Sequence, residues 1–222
     1  MAIIESLASA VMGGIVTLGG REILSAYRRP KISLDLYELD GIRPFVVDRQ
    51  LNKSVIDTQH GRLINIEMAK DIHIIVGNTG YRPAKGCEAT MNIKEDGTEV
   101  PNPIRLGWRK RPPILYQNLD FGEQMRQRTA PMDINRESKA LLDILRLKYE
   151  KRKYKEEKEF KKECKDLTTL SAFRNHDFQK NIQYEIEITV TSANTNPESI
   201  ELRLKWDGGY KNEDLQSAIS VV

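Results

Sequence analysis

"IQYEIEITVTSANTNPESIELRLKW", residues 182–206, decides the fold. Its first half alternates strictly, with Ile182, Tyr184, Ile186, Ile188 and Val190 on one face and charged or polar residues between them. Its second half repeats the pattern with Ile200, Leu202, Leu204 and Trp206. A period of two over this length is the mark of a half-buried strand, because successive side chains point to opposite sides of the backbone. "SANTNPE" between them carries Asn and Pro, which predicts a hairpin with a moderately long loop. A slip of one residue would turn the whole apolar set to water, so the register is specified. Asp207-Gly208-Gly209 is read as the end of this sheet.

The same signal recurs upstream. "KISLDLY" places Ile32, Leu34 and Leu36 on one face, and Pro30 before it stops any preceding helix. "RLINIEM" and "DIHIIVGNTG" follow, then "KGCEATMNIK", in which Cys87, Ala89, Met91 and Ile93 share a face that places Cys87 in the core. Asn78-Thr79-Gly80 reads as a turn, with Gly80 free to take positive φ, and Asp96-Gly97 does the same at the next strand end. "IRLGW" is a further short strand, closed by Pro112-Pro113. Residues 38–61 are too polar for this pattern and are read as a long connection with a short strand around Phe45 to Val47. Their Asn52-Lys53-Ser54 matches a glycosylation acceptor, which is irrelevant on a cytoplasmic side. About seven such strands without interspersed helices predict two packed antiparallel sheets.

"NTGYRPAKGCEATMNI" resembles the Asn-x-Gly turn and small-residue strand of CARDB-like and related immunoglobulin-like domains. "YEIEITVTSANTNPESIELRLKW" is similar to the last hairpin of membrane-anchored sandwiches in uncharacterised archaeal proteins. Over residues 31–207 the resemblance implies an immunoglobulin-like β-sandwich with a binding or adhesion role, and it brings no catalytic residue.

One segment breaks the pattern. Residues 149–165, "YEKRKYKEEKEFKKECK", hold eight basic and five acidic side chains. Lys and Glu are good helix formers and Glu157 to Lys161 has the favourable spacing, so a charged helical insertion with a solvated face is expected there. "SKALLDILRL" before it is read as a strand, with Leu141, Asp143 and Leu145 on one face, rather than as the first turns of that helix.

Catalytic signatures are missing from the motifs. The glycine pairs near residues 13 and 19 lack the ending of a phosphate loop, and no Gly-x-Ser-x-Gly elbow frames a serine. His60, His73 and His176 stand at no metal-ligand spacing, and His73, between Ile72 and Ile74, is placed on an outer face. Trp108, Arg109, Lys110 and Arg111 form the one basic and aromatic cluster, a candidate ligand contact at a strand end. The alternative makes Trp108 a core anchor and the cations a solvated turn. No cofactor or metal is implied.

The amino-terminal stretch "IIESLASAVMGGIVTLGGREILSAYRRP", residues 3–30, sets the location. From residue 3 to residue 20 it carries only Glu5 as a charge and as a helix would be about 27 Å long, close to the bilayer core of about 30 Å. Ser6, Ala10 and Gly14, and likewise Ser9, Gly13 and Thr17, recur every four residues, which suits close pairing of two spanning helices and hence self-association. Arg21, Arg28, Arg29 and Lys31 follow the run, which predicts a cytoplasmic carboxyl side. The alternative is a soluble helix that packs by Ile3, Leu7, Val11, Ile15, Leu18 and Leu24.

The chain is 222 residues long, with 35 basic and 32 acidic side chains and two cysteines. A formal charge of +3 does not suggest a nucleic-acid binder, and two cysteines do not make a secreted disulfide framework. The expected organisation is an anchor over residues 1–30, a sandwich over 31–210 and a tail over 211–222. The expected role is a non-catalytic, membrane-anchored interaction module with an unidentified protein partner. A soluble subunit of a larger assembly and an extracellular adhesion domain are the rival readings.

Overall fold

Strict alternation places one apolar row on each strand, and burying those rows against one another requires two facing sheets. The computed structural model describes residues 28–36, 45–58, 61–109, 129–154, 158–169, 175–209 and 211–222. The expected amino-terminal helix, with its small-residue faces and Arg21, lies outside these residues.

The first sheet is built on two long antiparallel strands, β3 (Gly61–Asn78) and β9 (Lys139–Tyr154). β1 (Ile32–Asp35) and β2 (Phe45–Thr58) share the far side of β3. β7 (Gly107–Trp108) and β10 (Lys161–Thr169) share the far side of β9, and β11 (Asp177–Phe178) follows β10. The second sheet runs β14 (Ile219–Val221), β13 (Thr195–Lys205), β12 (Gln183–Ser192), β4 (Ala84–Glu95). Short β5 (Thr98–Glu99), β6 (Ile104–Arg105) and β8 (Met132–Ile134) pair along the free edge of β4.

The rows read from the sequence meet in one core. Tyr184, Ile186, Ile188 and Val190 of β12 and Leu202, Leu204 and Trp206 at the end of β13 join Ile72, Ile74 and Val76 of β3 and Leu142 and Leu147 of β9. Cys87 and the alternate residues after it in β4 are buried as expected. Burial, with the nearby Asp133 charge, pushes the Cys87 thiol up to about 11. In a Cys164→Ser variant, alkylation of Cys87 at pH 8 should therefore follow global unfolding, with the rate rising in step with urea, because only the exposed thiolate reacts.

The stretch "IRLGW" does more than expected. Ile104 pairs with Met91 in the second sheet, whereas Trp108 pairs with Leu142 in the first, so the chain crosses between sheets within five residues. Trp108 closes that side of the core at 1% exposure.

Asn78 explains the turn after β3. Its buried amide donates to the carbonyls of Arg82 and Ile134 at 2.8 and 3.0 Å. Its oxygen accepts from the backbone N–H groups of Lys31 and Gly80 at 3.1 and 3.0 Å. Gly80 is needed for space rather than for positive φ, since a Cβ there would lie 2.4 Å from the carbonyl oxygen of Arg29.

Three expectations need correction. Residues 38–61 are not mainly loop, because Phe45–Thr58 is one strand. The hairpin loop expected at 192–198 shrinks to Ala193 and Asn194, and the Asn194 side chain accepts from Lys85 N–H and donates to the Pro83 carbonyl. Pro197 sits in β13 opposite an irregularity in the ladder, where a missing N–H costs least. Residues 211–222 are not a tail, because helix α1 (Asn212–Ala218) buries Leu215 and β14 pairs with β13.

The charged helical insertion is also overturned. Residues up to Tyr154 belong to β9, and Lys161 onward belong to β10, in antiparallel register from Lys161↔Arg152 to Thr169↔Leu145. Helix propensity is a weak prior, and pairing with β3 along its length overrides it. The expectation of a strand at 139–148 stands. A bulge between Asp143 and Leu145 separates the face expected for them: Leu145 joins the core row, and Asp143 points away from it.

Candidate functional site

The three long strands of the second sheet, β4, β12 and β13, have 10 to 12 residues, whereas β3 has 18 and β9 has 16. The surplus has nothing to pack on. From residue 69 to residue 78 every side chain of β3 is buried, but residues 63–68 are only half-buried. β2, the outer part of β3, the outer part of β9 and β10 therefore form a four-stranded arm that runs past the second sheet.

Opposed residues of an antiparallel pair share a face, so the register sorts the arm's side chains. The inner face continues the core row. One line across it reads Lys53, Ile66, Lys151, Lys162, and the next outward reads Val55, Ile64, Lys153. The line on the core side reads Gln50, Met68, Tyr149. The Lys151 ammonium lies 5.8 Å from the Tyr149 ring centre and that of Lys153 5.5 Å from the Phe160 ring centre. Val55 is 56% exposed. The register also puts Asp57 opposite Arg62 in the line beyond Ile64 and Asp48 opposite Lys70 in the line toward the core.

Other carboxylates of the arm lie on the outer face. Glu67 opposes Glu150, Glu150 opposes Glu163, and Asp166 opposes Lys148. Glu150 is 3% exposed and is held by Arg152, at 2.8 Å from Nε and 2.5 Å from Nη2, and by Lys165, the residue at the β10 bulge. The Lys165 hydrogen bond outweighs burial and, with Arg152 and Asn65, holds the Glu150 carboxyl below its ordinary range. The folded form thus favours the ionised carboxylate. Its stabilisation is present above the unfolded carboxyl value of about 4.3 and is lost as the pH falls through the lower folded value. Amide exchange in β9 and β10 should accelerate in that acid window, and Glu150→Gln should flatten the dependence.

The ionic band continues along the outer face toward the two-sheet body. Arg146 clasps Asp71 with two parallel hydrogen bonds of 2.6 and 2.8 Å. Burial opposes the Arg146 charge, but Asp71 and the charge of Asp143 prevail and raise its pKa. Beyond it, His73 Nδ1 lies 2.7 Å from Asp143 Oδ1, with both side chains at 3% exposure or less. Arg109 Nη1 lies 2.5 Å from His73 Nε2. A guanidinium only donates, so Nε2 is the acceptor in this contact. Arg109 thus occupies the Nε2 side of the ring.

These contacts place the residues singled out from the sequence. Trp108 is a core anchor and Arg109 turns to His73, so the structure does not bring them together as one ligand contact. Lys110 and Arg111 lie outside the described residues. Arg28, Arg29 and Lys31 are exposed at the start of β1. His73 faces outward as expected but is 1% exposed. The sequence reading missed Asp143, Asp71 and Arg146 as partners, since each pair is separated by dozens of residues. The alternation of Glu150 and Arg152 with Lys151 and Lys153 was a signal for the two faces of the arm.

A groove of about 730 Å³ crosses the outer face of the second sheet beneath residues 99–103. Its floor alternates in sign, with Lys94, Glu185 and Arg203 in one line across three strands, so the charges largely neutralise one another. Among the described residues no helix is long and apolar enough to cross a membrane.

No protein-family model matches the chain, and no curated protein or solved structure shows significant similarity to it.

Proposed function

We propose that the chain is a non-catalytic binding module, an immunoglobulin-like sandwich tethered to a membrane by residues 1–30 with its body in the cytoplasm, and that its contact surface is the arm. The observation that carries this reading is the inner face of the arm, where the described side chains are lysines beside aliphatic residues, whereas the carboxylates of the outer face are matched there by cations such as Arg152 and Lys165. A merely solvated extension has no need of such a face.

The position of the tether supports it. Pro30 and Lys31 are fastened at one end of the body, where Thr195 Oγ1 donates to the Pro30 carbonyl at 3.1 Å and Thr79 N–H donates to that of Lys31 at 2.9 Å. β3 runs from there to the tip of the arm, roughly 56 Å at about 3.3 Å per residue. A bilayer at the first end leaves the arm reaching away from it. The basic residues Arg21, Arg28, Arg29 and Lys31 supply the cytoplasmic orientation.

A photo-crosslinking residue at Ile66 in intact cells tests the surface, with the same residue at Thr189, on the outer face of the second sheet, as control. Crosslinks from position 66 and none from 189 are expected; the reverse sinks the assignment. Release of the full chain by a carbonate wash would contradict the tether and favour a soluble subunit.

A further inference from the structure

We infer that the inner face of the arm receives an acidic amphipathic α-helix of a partner protein, one whose apolar seam is flanked by carboxylates on both sides. The inference rests on the reading of the arm as the contact surface. Ile64, Ile66 and Met68 of β3 form an aliphatic column down the middle of that face. Lys53 of β2 flanks it on one side, and Lys151 and Lys153 of β9 flank it on the other. The pattern is the complement of a helix with leucine-type residues in a seam and Glu or Asp beside it. Four strands about 4.8 Å apart make a bed about 14 Å wide, which suits a helix of about 10–12 Å diameter.

The row through Ile66 adds a second argument. Lys151 and Lys162 are directly opposed in register and Lys53 lies two strands away in the same line, so one row across the face carries three cations beside Ile66. A partner segment on this face adds the apolar contact that the half-buried isoleucines lack.

Other occupants fit less well. Nucleic acid is bound through arginine forks and stacked aromatic rings, whereas the centre of this face is aliphatic and the cations among its described side chains are lysines. Addition of a strand to the edge of β2 meets the bulge at Leu51 and the charge of Lys53, both of which blunt an edge. A bilayer lies at the opposite end of β3 in the tethered arrangement.

The test uses the full chain in nanodiscs of zwitterionic lipid. The probes are a fluorescent peptide of about three heptads with leucines in the seam and glutamates beside it, the same peptide with lysines for the glutamates, and a short DNA duplex. The acidic peptide is expected to bind, and binding should weaken about tenfold or more when salt shortens the Debye length to about 3 Å. Lys53→Gln/Lys151→Gln/Lys153→Gln should weaken it at least tenfold without moving the thermal midpoint by more than a few degrees, and Ile66→Ser should weaken it independently of salt. Equal binding of the two peptides, indifference to the triple substitution, or preference for the duplex would each overturn the inference. If position 66 crosslinks in cells to a segment without acidic residues, the arm remains the contact surface and the acidic helix is refuted. If position 66 crosslinks to nothing, the contact surface itself is lost.

Discussion

Trp206→Ala is expected to destabilise the chain by about 3–5 kcal/mol, the largest effect of any single truncation considered, because an indole is lost from a core that cannot close over the void. Trp206 is 2% exposed, its Nε1–H donates to the Gly209 carbonyl at 2.8 Å, and the Lys180 ammonium lies 5.6 Å from its ring centre. Its own carbonyl accepts from Asn181 N–H at 2.7 Å, so the residue ties the end of β13 to the turn before β12. Urea denaturation read by the remaining Trp108 fluorescence measures the loss. A midpoint unchanged from the parent chain would mean that the two sheets do not share this core.

Asp71→Ala is expected to cost about 3 kcal/mol, at the lower end of the range for breaking a buried ion pair by removing one partner. The Asp71 side chain is 7% exposed, while that of Arg146 keeps 20%. The guanidinium left behind is therefore partly hydrated, and the charge of Asp143 still acts on it. Replacing both Asp71 and Arg146 should recover part of the loss, since no uncompensated charge then remains. A double-mutant cycle by chemical denaturation checks this, and strict additivity would show that the two side chains do not interact.

The legible parts of the fold were those with water on one side and protein on the other. Ile186, Leu204 and Cys87 announced their burial because polar neighbours alternate with them, and the structure buries all three. β2 and the outer halves of β9 and β10 have no facing sheet, so no apolar alternation marks them as strands. Residues 149–165 then showed only the helix propensity of Lys and Glu, and that propensity misled. The stiff ladder with β3 that decides the matter is a long-range pairing. Arg109 stood out as a cation beside a tryptophan, but its partner His73 lies 36 residues earlier and could not be inferred from spacing. The bulge that turns Asp143 outward breaks the period locally, so that carboxylate was assigned to the face of Leu145.

The docking surface exists only if residues 149–165 are half of a paired arm rather than a helix. Disulfide trapping tests this directly, in the full chain carrying Cys164→Ser. Lys151 and Lys162 are opposed in β9 and β10, which places their Cα atoms about 4.5–5.5 Å apart, within the reach of a disulfide. A continuous helix would hold the same residues about 16 Å apart along its axis. The pair Lys151→Cys/Lys162→Cys is predicted to oxidise readily, and the pair Lys151→Cys/Glu163→Cys, whose side chains leave opposite faces, is predicted to oxidise far more slowly. Failure of the first pair to crosslink, or equal crosslinking of both, would contradict the arm and the docking surface built on it.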